Sequence, residues 1–105
     1  MNHFALASAL IAGLLTVPVA QANYDLARKS NCMSCHMVDK KVLGPAFQEV
    51  ATKYAGQDSA QKMLVEKVKK GGKGVWGEIP MPPNGQVKDA DLDTLIKWIL
   101  SGAPR

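Results

Sequence analysis

Two cysteines three positions apart, Cys32 and Cys35, with His36 directly after the second, restrict how this 105-residue chain can hold itself together. No other cysteine exists. A chain of this size buries only about 60% of the surface it exposes when unfolded, so something must staple it. A disulfide between Cys32 and Cys35 is a poor staple, because the entropic benefit of a cross-link grows with the loop it closes. The staple is therefore expected to be a bound group, seated on Cys32-Met33-Ser34-Cys35-His36.

The residue types narrow the group. Two thiols at this spacing can each add to a vinyl group of one haem edge, and a histidine immediately after the second places its imidazole beneath the same ring as an axial ligand. A zinc site needs about four ligands, whereas His36 is the only histidine beyond the N-terminal segment. A thioredoxin-like dithiol expects a βαβ context, and nowhere does the sequence alternate as a strand would. One covalently attached haem c, held by Cys32 and Cys35 and ligated by His36, is the expected cofactor.

The N-terminus reads as an export signal. Phe4 to Val19 is apolar or Gly/Pro apart from Ser8 and Thr16, and it is followed by Ala20-Gln21-Ala22. Such a run ending in small residues two apart predicts a cleaved signal peptide over 1–22 and a domain over 23–105. The apolar run is shorter than the roughly 20 residues of a membrane-spanning helix, although an uncleaved anchor is the alternative. No Lys, Arg, Asp or Glu precedes Asn23, so the processed chain keeps the formal charge of +4. With 21% charged and 47% hydrophobic residues this is one small domain, which excludes repeat arrays, multidomain enzymes and disordered tails. The charge points to an acidic partner, and no basic run is long enough for nucleic acid.

Helical patterns account for most of the remainder, and the expected fold class is all-α, with about four helices around one haem. A short helix is expected over 23–31. A second should start with Pro45 in its first turn and run to Tyr54, where Gly56 stops it. Asp58 or Ser59 should cap a third, ending at Lys70, with Ala60, Met63, Leu64 and Val68 as its buried stripe. The last is expected over 89–100, with Leu92, Leu95, Ile96 and Ile99 at spacings of three and four and aspartates near its start. Residues 71–87 contain five glycines and three prolines without periodicity. Such a long structureless loop in a compact domain is expected to be functional.

That loop supplies the expected second axial ligand. Met33 lies between the two cysteines and Met37 directly after His36, both on the wrong side of the ring, and Met63 reads as a core filler. Met81 lies in Ile79-Pro80-Met81-Pro82-Pro83, where prolines on both sides stiffen the backbone. The alternative is an incidental loop methionine.

Cys-Met-Ser-Cys-His, Gly44-Pro45-Ala46, the run from Gly74 to Asn84 (Gly-Val-Trp-Gly-Glu-Ile-Pro-Met-Pro-Pro-Asn) and a terminal helix with Lys97-Trp98 occur in one order. On these motifs the chain resembles the small bacterial class I cytochromes c of the c-551 type over 23–105. The resemblance implies that the Pro45 carbonyl accepts the Nδ1 proton of His36, that the Trp76 indole meets a haem propionate, and that Asn84 bonds near the methionine sulfur. Lys67 stands where several relatives place an arginine near the propionates, a departure from the pattern. Trp98 is read as a core aromatic.

His/Met ligation fills both axial positions and raises the iron potential, which favours an electron carrier over an enzyme or gas-binding protein. No histidine is available for distal acid–base work, and the thiols of a dithiol oxidoreductase would be consumed by attachment. The expected function is single-electron shuttling in the periplasm between respiratory partners, by outer-sphere transfer through an exposed haem edge, as a monomer. The resemblance implies partners such as a nitrite reductase, a terminal oxidase, a peroxidase or a small copper protein. Lys40, Lys41, Lys67, Lys70, Lys73 and Lys88 are candidates for steering them.

Overall fold

The computed structural model describes residues 16–105, so most of the expected signal segment lies outside the described residues. The described residues form four helices, α1 (Val19–Lys29), α2 (Phe47–Lys53), α3 (Ala60–Lys70) and α4 (Asp89–Leu100), with a 3-10 turn at Cys32–Ser34. Among the described residues there is no strand, only isolated bridges between His36 and Lys41 and between Gly72 and Met81. No described helix is long and apolar enough to cross a membrane.

The last helix organises the rest. Leu92, Leu95, Ile96, Trp98 and Ile99 are buried, and α4 packs against α1, α2 and α3. Ala27 of α1, Phe47 and Val50 of α2 and Leu64 of α3 share one core with Leu95, Ile96, Trp98 and Ile99. Trp98 is a core aromatic, as expected. Its indole N–H donates to the Pro104 carbonyl at 2.8 Å, and its ring meets Phe47 edge-on at 5.7 Å and Tyr24 at 6.4 Å. Polar ties hold α3 to α4. Gln61 Nε2 donates to the Asp93 side chain at 2.8 Å, and Lys69 Nζ sits 2.9 Å from Asp89 Oδ1. That carboxylate raises the Lys69 pKa, first through the hydrogen bond and then through its charge.

Four boundaries differ from expectation, the smallest being the end of α2 at Lys53, not Tyr54. Helix α1 starts at Val19, not Asn23, because Ala20, Gln21 and Ala22 are good helix formers and the Ala22 amide already bonds to the Pro18 carbonyl at 3.0 Å. It ends at Lys29, since Asn31 takes the left-handed conformation with φ 63°. Helix α2 starts at Phe47, which puts Pro45 outside the first turn. Ala46 is extended there, and the Phe47 and Gln48 amides bond to the Met37 and Val38 carbonyls at 2.9 and 3.0 Å. The orphan donors of the helix start thus bind the segment that follows His36. On α3, Ala60 and Leu64 are buried and Val68 is half-buried, but Met63 is 40% exposed. Residues four apart follow the line facing α4, and Met63 falls on its flank. The expected core role of Met63 is thereby corrected.

Candidate haem site

The site begins where the chain leaves α1. After the left-handed Asn31, the 3-10 turn Cys32–Ser34 brings both cysteines and His36 to one side of the core. The Cys35 amide closes on the Cys32 carbonyl at 3.3 Å and the His36 amide on the same oxygen at 3.0 Å. Both thiols are free of any disulfide. Burial pushes the Cys32 thiol pKa up, only partly offset by its backbone hydrogen bond. A reactive dithiol needs the opposite shift.

His36 is held on several sides. Its Nδ1 lies 2.8 Å from the Pro45 carbonyl oxygen. A carbonyl can only accept, so the proton is on Nδ1 and the Nε2 lone pair is left to coordinate. Gly44 presses against the same ring: a Cβ there would lie 2.5 Å from Cε1 and 2.8 Å from Nδ1 of His36. Only glycine lets the backbone pass. The Gly44 amide is itself anchored to the Cys35 carbonyl at 2.8 Å.

Met81 is set by glycines as well. Its backbone pairs with Gly72 through two hydrogen bonds, Gly72 N to Met81 O at 3.0 Å and Met81 N to Gly72 O at 2.8 Å. Gly71 ends α3 with φ 73°, and a Cβ on it would collide with the Met81 carbonyl. A side chain at Gly71 is therefore excluded by conformation and by space together.

These two segments line one cleft with about 1290 Å³ of space not filled by protein, part of it open to solvent. Cys32, Cys35, His36, Pro45, Trp76, Met81 and Asn84 all line it, with apolar groups such as Leu64, Leu95 and Ile99 between them. Met33, Met37 and Met63 do not; among the described residues Met81 is the sole methionine on the cleft. Its size, apolar lining and donor set, two thiols, one imidazole with a free lone pair and one thioether, fit a haem.

The supporting residues are placed unevenly. Trp76 is half-buried on the cleft, its ring 5.7 Å from Lys53 Nζ. Asn84 lines the cleft with Met81. Its Nδ2 donates to the Pro82 carbonyl at 3.0 Å and its Oδ1 accepts from Gln86 at 3.4 Å, which ties the side chain to its own loop. Its amide also docks the loop on α3, donating to the Val68 carbonyl at 2.9 Å. Of the six candidate steering lysines only Lys67 and Lys73 line the cleft, and Lys70 is paired with Glu66 at 3.2 Å. Sequence reasoning quoted Gly44 only as part of a motif and missed its role, as it missed those of Gly71 and Gly72. The available signals were a glycine next to Pro45 and a glycine pair at the end of a helix.

Helices packed around an apolar cleft, with C-x-x-C-H on its wall and a loop methionine facing the same space, define a protein built to hold covalent haem. The cytochrome c family model matches residues 21–103. Cytochrome c-552 of Nitrosomonas europaea is 51% identical over 101 residues, covering 96% of this chain and 93% of that protein. Cytochrome c-551 of Pseudomonas aeruginosa is 45% identical over 103 residues, covering 96% and 98%. The crystal structure of the wild-type Nitrosomonas europaea cytochrome c552 aligns with a TM-score of 0.72 at 54% identity, covering 74% of this chain and 96% of that one. The chain belongs to the cytochrome c family and is a small class I member of the c-551 type. It carries one covalently bound haem c and is a monohaem electron carrier, not an enzyme.

Proposed function

We propose that His36 and Met81 are the axial iron ligands, and that this carrier passes single electrons by outer-sphere transfer across the cleft mouth to periplasmic respiratory partners. The observation that carries the reading is the convergence on one cleft of the attachment motif, a tautomer-fixed imidazole and a single methionine. When bound, haem supplies the one-electron iron couple. The chain's own residues give the site apolar walls, hold the imidazole proton on Nδ1 and brace Met81 against Gly72. Stiff ligands suit electron transfer because little geometry then changes with oxidation state.

Export is part of the same reading. Cleavage after Ala22 removes the first four residues of α1, none of which is buried, so the core is kept. The mass of the exported protein should correspond to residues 23–105 plus one haem, and a mass that includes residues 1–22 would show an uncleaved anchor.

Docking is read from the rim. Leu43, Val75 and Ile79 line the cleft while 53%, 50% and 63% exposed, an apolar lip flanked by Lys67 and Lys73. A transient redox contact buries at most about 1,200 Å², so this lip supplies much of it, and the two lysines add steering that salt screens beyond about 8 Å. With a small acidic copper protein as acceptor, stopped-flow transfer is expected to slow modestly as salt rises. Ile79→Ser should slow it about threefold to tenfold even at high salt, as expected for loss of part of a buried aliphatic side chain. Lys73→Glu should act on the salt slope, and Lys62→Glu on neither. An unchanged rate for Ile79→Ser at high salt would assign docking to charge alone.

A further inference from the structure

We propose that Phe47 is a positioning residue for the His36 imidazole, setting the rotation of that ring in addition to filling the core. The inference rests on His36 being an axial ligand. Phe47 stacks on the His36 ring, with centroids 5.1 Å apart and planes 23° from parallel, and it is only 3% exposed. The Pro45 hydrogen bond holds Nδ1 but allows the ring to pivot about the line from Nδ1 to the carbonyl oxygen. Gly44 closes on the edge of the ring at Cε1 and Nδ1. A flat neighbour across the ring face removes the remaining freedom, and offset stacking of two rings favours that arrangement beyond the area it buries.

Phe47 is held in turn. Trp98 meets it edge-on at 5.7 Å and is fixed by its hydrogen bond to the Pro104 carbonyl. At the start of α2, the Phe47 amide bonds to the Met37 carbonyl, next to His36. The C-terminal turn, α4, α2 and the imidazole thus form one aromatic column in which each ring limits the next. Ring rotation about an axial bond alters how the imidazole overlaps the iron orbitals, so the column has a spectroscopic consequence that core filling lacks.

The test is the electron paramagnetic resonance of the oxidised holoprotein. Phe47→Leu keeps an apolar side chain but loses the flat face, and it is expected to shift and broaden the low-spin ferric g-values. Phe47→Tyr should retain the wild-type values, and Leu26→Ala, a truncation on α1 away from the cleft, should leave them in place. Should the leucine variant not fold, Phe47→Ile reads the same loss of face. Wild-type g-values in the leucine or isoleucine variant would overturn the proposal, as would an equal shift in Leu26→Ala. A wild-type holoprotein lacking a low-spin ferric signal would overturn the ligand reading and this inference with it, which separates the two failures.

Discussion

Replacing Met81 with alanine is expected to abolish the weak far-red sulfur-to-iron charge-transfer band of the oxidised protein, while the covalent pigment stays attached. The reduced variant should bind carbon monoxide, and the wild type should not. The potential should fall by roughly 0.2 V, a fraction of the ~0.8 V that axial ligands span. Geometry makes this the most exposed single change in the molecule. Met81 is the only methionine lining the cleft among the described residues, and Gly72 holds its backbone by two hydrogen bonds, so no neighbour can swing in as a substitute thioether. Met63→Ala is the matched control. Because Met63 is 40% exposed on the flank of α3, it should keep the band and lose less than about 1 kcal/mol in a denaturant melt of the holoprotein, against ~2–5 for a buried methionine. Loss of the band in the Met63 variant and its retention in the Met81 variant would show that the wrong ligand has been assigned.

A chain with Cys32→Ala and Cys35→Ala, and hence without covalent haem, is expected to be largely unfolded. The helices have 11, 7, 11 and 12 residues, at or below the lower end of the range of about 12–15 under which isolated helices are marginal in water. Their stability must come from packing. Leu64, Leu95 and Ile99 line the cleft, so without the cofactor the core wall that they form loses the apolar contacts haem would make with it. The described residues contain no disulfide to compensate. Far-ultraviolet circular dichroism should show most of the helical signal lost relative to the holoprotein. A cooperative melt in the haem-free chain resembling that of the holoprotein would disprove the claim.

The chemistry was legible from local spacing. Attachment through Cys32 and Cys35 with His36 beside them depends on covalent reach within five consecutive residues, and such reach is a property of the chain before it folds. Helix α4 was legible for a related reason: its apolar residues recur at three and four because a single helix face meets every other helix. Met81 could be singled out because its prolines act on the backbone where they stand.

Positions that depend on what lies opposite them in space were decided by tertiary structure alone. Met63 has the same periodic credentials as Leu64, yet packing buries Leu64 and leaves Met63 40% exposed. Pro45 suits a helix start, but the Met37 and Val38 carbonyls claim the first amides of α2 and displace that start to Phe47, leaving the Pro45 carbonyl to His36. The bond that Asn84 makes to the Pro82 carbonyl depends on how its own loop folds back. The lysines are indistinguishable in sequence, and only packing puts Lys67 and Lys73 on the cleft while Lys70 pairs with Glu66. Gly44 and Gly71 are the sharpest cases, because what requires glycine is a ring or a carbonyl from another segment arriving where a Cβ would sit. By itself, then, the sequence determined the motif, the cofactor chemistry and the dominant helix, each governed by neighbours along the chain. Close approach between segments distant in sequence is settled only when they pack, and with it came the clamp on His36 and the seat of Met81.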